Sequence, residues 1–295
     1  MNAVIVAGLV KNYGPDRAVD GIDFEIASGE VFALLGPNGA GKTTTVEILE
    51  GHRSRDAGEV SVLGMDPGTA GPFYRQRIGI VLQSSGFEPN LTVSETVSMY
   101  RSYYETPMAV DQVLAVVGLR ERKDSRVKTL SGGQQRRLDL ALGLVGDPDL
   151  LFLDEPTTGF DPSARRQAWE VVSNLRSLGK TILLTTHYMD EAEYLADTVA
   201  VISGGAIVSR GSVSTLGGPE ARRATVSFRA TGRPPATEDW KHEGGVFSVV
   251  TDDTTRVLNQ LTSWALSEDV QLIGLEVTRP SLEDIYLSLT GDAGV

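Results

Sequence analysis

The sequence predicts an α/β protein with a mostly parallel central sheet, followed by a small α+β domain. Three observations lead there. Hydrophobic periodicity switches repeatedly between two and about 3.6. Residues 31–35, 150–153 and 181–184 are short, mostly apolar runs of the kind that form strands covered on both faces. Leu216-Gly217-Gly218-Pro219 then breaks the pattern, and a self-contained set of strands and helices follows. The boundaries read from this are 1–217 for the large domain and 220–295 for the small one.

The elements follow in order. Ile22, Phe24 and Ile26 alternate with polar residues, as in a half-buried strand. Residues 44–49 form a helical stretch. Thr92 and Glu95 make a capping-box pattern that starts a helix running toward Tyr104. Residues 111–117 read as a helix stopped at Gly118. Gly204-Gly205 is a hairpin turn between strands at 199–202 and 206–209. In the small domain, 224–228, 247–250 and 270–276 read as strands, 254–264 and 281–289 as helices, and 231–240 as a loop. Leu282, Ile285, Tyr286 and Leu289 share one helix face, suited to that domain's own core or to a subunit interface.

Composition narrows the function classes. With 41% hydrophobic residues the chain can build a real core. It has no uninterrupted apolar run long enough for a membrane helix, and residues 1–10 lack the layout of a secretory signal, so a cytosolic protein is expected. The absence of cysteine excludes disulfides and thiolate metal sites. A net charge of -12 argues against a nucleic-acid partner and against loose adhesion to a membrane. The basic pairs Arg136-Arg137, Arg165-Arg166 and Arg222-Arg223 read as solvated helix faces.

The first chemical motif is Gly36-Pro37-Asn38-Gly39-Ala40-Gly41-Lys42-Thr43, followed by Thr44. It joins an apolar strand to a helix, the setting a phosphate-binding loop requires. Glycines let successive N–H groups point at phosphate oxygens, and the helix N-terminus adds positive potential. Lys42 then offers a point charge to the β- and γ-phosphates, and the Thr43 hydroxyl offers an oxygen to Mg²⁺. An ordinary glycine-rich turn is the alternative. The second motif, Asp154-Glu155-Pro156, ends an apolar strand where α/β sheets place their ligands. Asp154 suits the Mg²⁺ shell and Glu155 suits a general base for water, although an acidic strand exit has the same appearance.

The third motif is Leu130-Ser131-Gly132-Gly133-Gln134, ahead of an apolar helix pattern. Ser131 can cap that helix, and the glycines keep its N-terminus open to an anion. Leu-Ser-Gly-Gly-Gln, placed between the phosphate loop and the carboxylates, resembles the signature of ATP-binding cassette proteins. The resemblance covers roughly residues 1–217. It implies a mostly parallel core sheet, an antiparallel β subdomain and a helical subdomain.

The same resemblance assigns further roles. Tyr13 is similar to the aromatic residue that stacks on adenine, with a surface strand aromatic as its alternative. Gln83 is similar to the glutamine that senses Mg²⁺ and contacts the membrane subunit, or is a plain loop amide. Gly159-Phe160-Asp161 resembles the loop that crosses to the partner chain, with Phe160 where leucine is common. His187 is similar to the histidine that holds the γ-phosphate, or is a satisfied turn histidine. The family's ATP is sandwiched between two chains, with Lys42, Thr43 and Asp154 of one facing Ser131 and Gly133 of the other.

The stretches 131–141, 154–159 and 281–287 together resemble the ATPase subunits of antibiotic-resistance exporters, the daunorubicin-resistance type in particular. The expected function is ATP hydrolysis that powers export of a drug, antibiotic or lipid-like substrate. The expected partners are a second ATPase chain, forming a homodimer, and separately encoded transmembrane permease subunits. The expected place is the inner face of the cell membrane. A polysaccharide or lipid exporter, an importer motor, a ribosome- or nucleic-acid-associated cassette and a nucleotide-gated module without turnover remain as alternatives. A single phosphate loop without sustained heptads disfavours the ribosome- or nucleic-acid-associated cassette, and the presence of Glu155 and His187 disfavours the module without turnover.

Overall fold

The computed structural model describes residues 1–81, 86–218, 223–235 and 238–290, excluding the side chains of 288 and 290. The chain divides into two compact units, Met1–Val213 and Ser214–Val295. Their division falls just ahead of the glycines at 217 and 218.

The first unit contains two sheets. Strands β1 (Asn2–Tyr13), β2 (Asp16–Ala27) and β4 (Ala57–Val62) form an antiparallel sheet in the order β2-β1-β4. The alternation predicted at Ile22, Phe24 and Ile26 is present, and all three side chains are buried. Strand β3 (Val31–Leu35) belongs to the second sheet with β5 (Ile78–Val81), β6 (Leu150–Asp154), β7 (Thr181–Thr186), β8 (Thr198–Ser203) and β9 (Ala206–Gly211). Its order is β5-β6-β7-β3-β8-β9, parallel except where β9 closes as a hairpin on β8. Every residue of β3 is buried, as a strand covered on both faces requires.

Helices flank and extend this sheet. Helix α1 (Lys42–Leu49) leaves β3 through the glycine-rich loop, and α2 (Pro72–Arg77) leads into β5. The helical part comprises α3 (Val93–Arg101), α4 (Val110–Val116) and α5 (Gly132–Leu144). Thr92 and Glu95 close their capping box in full, the Thr92 N–H donating to Glu95 Oε2 at 2.7 Å. Helix α3 stops at Arg101, short of Tyr104, because Ser102 bonds back to Met99 and a turn takes over. Helices α6 (Pro162–Ser177) and α7 (Met189–Leu195) complete the unit. Among the described residues no helix is long and apolar enough to cross a membrane.

The second unit pairs β10 (Ala224–Arg229), β11 (Lys241–Glu243), β12 (Val246–Thr251) and β13 (Ile273–Thr278) in the antiparallel order β11-β12-β10-β13. Helix α8 (Thr254–Ser267) covers one face, giving a core of Val226, Phe228, Val249, Val257 and Leu261. The last strand starts at Ile273, later than expected from sequence. Asp269 takes a left-handed backbone with φ 54° and the Val270 N–H returns to Ala265 O at 2.9 Å, so these residues finish α8 instead. On α9 (Leu282–Thr290), Leu282, Ile285 and Tyr286 are buried and Leu289 is half-buried.

Candidate active site

A cleft of about 360 Å³ opens at the C-terminal ends of β3 and β6. Its walls are the glycine-rich loop, the first residues of α1, Asp154 and Glu155, with Ala18 of β2 at one side. The loop's shape demands glycine at two places. A Cβ on Gly36 would collide with the Ile202 carbonyl, and Gly41 has φ 105° with the Ala18 carbonyl against it. Pro37, Asn38, Gly39, Lys42, Thr43 and Thr44 also line the cleft, and Ala40 is buried behind it.

Lys42 is 5% exposed and its ammonium donates to Gly36 O at 2.7 Å and Pro37 O at 3.2 Å. Burial pushes its pKa down, against the attraction of Glu155 and Asp154. The ammonium is thus already gathered into the loop and held by two carbonyls that a phosphate can replace.

The carboxylates are set by Thr185, at the parallel position on β7. Its hydroxyl donates to Asp154 Oδ1 at 2.5 Å, and its Oγ and carbonyl accept from the Glu155 N–H at 3.1 and 3.2 Å. Glu155 has a left-handed backbone, φ 44°. Its Oε2 accepts from the Thr158 hydroxyl at 3.0 Å, and its Oε1 lies 3.8 Å from Lys42 Nζ. His187 follows β7, with Nδ1 3.2 Å from Glu155 Oε1 but out of line for a hydrogen bond. Its ring packs at 4.1 Å on Tyr188, which in turn lies under the Arg165 guanidinium. Lys42, Thr43, Asp154 and Glu155 therefore line one cleft, and His187 reaches it only through its approach to Glu155.

Tyr13 ends β1 at the hairpin whose other strand supplies Ala18. It is 40% exposed, with Lys11 and Arg53 within 5.9 and 5.2 Å of its ring. Gln83 lies outside the described residues.

Ser131, Gly132 and Gly133 line a different cleft, about 440 Å³, together with Gly159, Phe160 and Asp161. Ser131 caps α5 in a full box with Gln134: Ser131 Oγ accepts from the Gln134 N–H at 3.3 Å, and Gln134 Oε1 accepts from the Ser131 N–H at 3.0 Å. Asp161 caps α6 through the N–H groups of Ser163 and Ala164. Within one chain, the signature residues and the phosphate loop do not share a cleft.

Sequence reasoning missed three supports. Thr185 carried no signal beyond following the apolar run at 181–184. Glu191 is fully buried, accepting from the Thr157 hydroxyl at 2.7 Å and Trp169 Nε1 at 3.2 Å, and burial raises its pKa. Arg136 was expected on a solvated face but is 6% exposed. It turns inward because the carbonyls of Asp154 and Pro156 offer it acceptors and Asp139 balances its charge. Of the other pairs, Arg166 is exposed, Arg165 is half-buried on Tyr188, and Arg222 lies outside the described residues.

Comparison with known proteins agrees with this geometry. Residues 19–158 match the ABC transporter family. The chain is 39% identical to the Nod factor export ATP-binding protein I of Ralstonia nicotianae over 97% of this chain and 93% of that one. It is 35% identical to the daunorubicin/doxorubicin resistance ATP-binding protein DrrA of Streptomyces peucetius over 98% of this chain and 92% of that one. Among solved structures it is similar to cbiO1 from Clostridium perfringens, part of the ABC transporter complex cbiONQ, at 30% identity and TM-score 0.66, covering 72% of this chain and 88% of that one. A likeness that runs nearly end to end through relatives of this kind leaves one reading of the nucleotide cleft: the chain belongs to the ATP-binding proteins of the ABC transporters and is an ATPase.

Proposed function

We propose that this ATPase powers export of a drug, antibiotic or lipid-like substrate through separately encoded membrane subunits. The names of its relatives, Nod factor export and daunorubicin/doxorubicin resistance, support export as the direction. In this reading it sits at the inner face of the membrane, attached through its permease partner. The 220–295 domain lies outside the chemistry and serves assembly.

The observation that carries the mechanism is the separation of two clefts in one chain. Lys42 and Glu155 line one, and Ser131 and Gly133 line the other. A second copy, turned by a two-fold axis, closes each signature helix start onto the other chain's phosphates. The loop N–H groups and Lys42 bind the β- and γ-phosphates. The donor set suits Mg²⁺, because the Thr43 hydroxyl and the Asp154 carboxylate are hard oxygens facing one cleft, and this ion normally keeps waters and phosphate oxygens as its other ligands. When bound, Mg²⁺ neutralises charge developing on the phosphates. Gln83 is assigned to the same ion and to the mechanical link with the membrane subunit. Tyr13 stacks on adenine.

Glu155 accepts a proton from the attacking water, oriented by Thr158 and Thr185. His187, beside Glu155, donates to the γ-phosphate. Loss of that phosphate removes what held the two chains together, and the dimer reopens.

The test is hydrolysis against binding. Glu155→Gln should lower kcat at least a hundredfold in the presence of Mg²⁺ while ATP still binds with near-normal affinity. Hydrolysis at the normal rate in this variant would remove Glu155 as the base.

A further inference from the structure

Four described non-glycine residues have a positive φ, and Glu155 is the one of them that faces the phosphate cleft. Left-handed backbone is unfavourable for a residue with a Cβ, and persists where the surroundings over-determine it. On one side the constraint is Thr185, whose carbonyl and hydroxyl both accept from the Glu155 N–H. On the other side it is a single guanidinium. Arg136 Nε donates to Pro156 O at 2.9 Å, and Nη2 donates to Asp154 O at 3.3 Å. These two carbonyls belong to the residues immediately before and after Glu155.

Arg136 does not come from this strand or its loop. It lies in the second turn of α5, the helix that Ser131 caps. It is buried, and Nη1 lies 3.5 Å from Asp139 Oδ2, so its charge is balanced without leaving the interior. A planar fork can span two carbonyls that point in different directions; a lysine ammonium at the same place is a single point and cannot.

We propose that Arg136 is a positioning residue for hydrolysis, clamping the carbonyls on both sides of Glu155 and holding the base in its left-handed kink. The clamp ties the aim of Glu155 to the seat of the signature helix in the same chain. A shift of α5 therefore moves the base of that chain's own site, although Ser131 and Lys42 line separate clefts. The proposal rests on the reading of Glu155 as the base.

The experiment is single-turnover hydrolysis of radiolabelled ATP with Mg²⁺, with ATP affinity measured separately, on the full chain. Arg136→Lys keeps a cation beside Asp139 but loses the fork. Misplacing a catalytic group by about an ångström can cost a hundredfold, so the expected loss in rate is roughly 10- to 100-fold, with ATP affinity changed less than about twofold. The double variant Arg136→Gln, Asp139→Asn removes the fork without leaving a buried charge unpaired, and should show the same split if Arg136→Lys fails to fold. Combined with Glu155→Gln, Arg136→Lys should slow the residual reaction little further, because the group it positions is gone. A normal rate in both fork variants, or a loss confined to ATP affinity and melting temperature, would overturn the clamp. So would an equal further loss in the Glu155→Gln background. If Glu155→Gln alone hydrolyses normally, the base assignment fails first and the clamp with it; if Glu155→Gln is slow while the fork variants are fast, the base stands and only the clamp falls.

Discussion

The Lys42 ammonium lies 3.8 Å from Glu155 Oε1, inside a pocket where both side chains are largely shielded from water. One cation therefore faces both the carboxylate proposed to act on water and the loop carbonyls of Gly36 and Pro37. In the proposed mechanism, ATP draws Lys42 toward its phosphates and leaves Glu155 free to turn to water. Lys42→Ala should abolish tight ATP binding, since it removes the point charge and leaves only backbone donors. Fluorescence titration that finds unchanged ATP affinity in this variant would show that the phosphates sit elsewhere.

Tyr13 presents a ring that is 40% exposed at the tip of the β1–β2 hairpin. Stacking on a base is worth about 1–3 kcal/mol. Tyr13→Ala should weaken ATP binding by roughly tenfold or more, and Tyr13→Phe should largely preserve it. Equal affinity in Tyr13→Ala would remove the adenine contact from this residue.

Glu50, the residue that ends α1, is 5% exposed. Burial, and then the charges of Asp154 and Glu47, push its pKa from 4.5 up to about 8. The native state thus holds a proton that the unfolded chain releases once the pH exceeds about 4.5. The penalty is absent below that value, grows as the pH rises, and is complete above about 8; each unit is worth about 1.4 kcal/mol, which makes a few kcal/mol the upper limit. Glu50→Gln should therefore raise the melting temperature of the nucleotide-free protein by several degrees at pH 8.5 and by little at pH 5. Thermal melts with the same shift at both values would mean that Glu50 does not carry this proton.

A chain ending at Gly217 should retain ATP binding, because every described residue of the nucleotide cleft lies in the first compact unit. Weaker association with the second chain or the membrane subunits is the expected defect. A truncated chain that folds, as judged by circular dichroism, but no longer binds ATP would place the second unit within the chemistry.

Much of this site was legible because its residues are fixed by backbone demands that leave a mark in sequence. Gly36 and Gly41 stand where a Cβ would meet the backbone of Ile202 and Ala18. Ser131 and Gln134 announce a helix start by their spacing, and Asp154 ends an apolar run. Other parts left no such mark. Strand β1 bulges between Val6 and Leu9, where Gly8 takes φ 59°, so its apolar alternation slips and reads poorly as a strand. All of β13 is exposed, so no buried face marks its start, and the end of α8 takes over its apparent first residues. Arg136 beside Arg137 has the look of a solvated pair; its acceptors are carbonyls, and carbonyls have no letter in a sequence.

The composite site across two chains is tested most directly by size-exclusion chromatography with ATP and Mg²⁺. Glu155→Gln, expected to bind ATP and hydrolyse it poorly, should accumulate as a closed dimer. Adding Ser131→Arg places a bulky side chain at the start of α5, where the proposed mechanism brings the second chain's γ-phosphate, and the double variant should run as a monomer. A double variant that dimerises as fully as Glu155→Gln alone would contradict the account, because Ser131 would then not close on a neighbour's ATP.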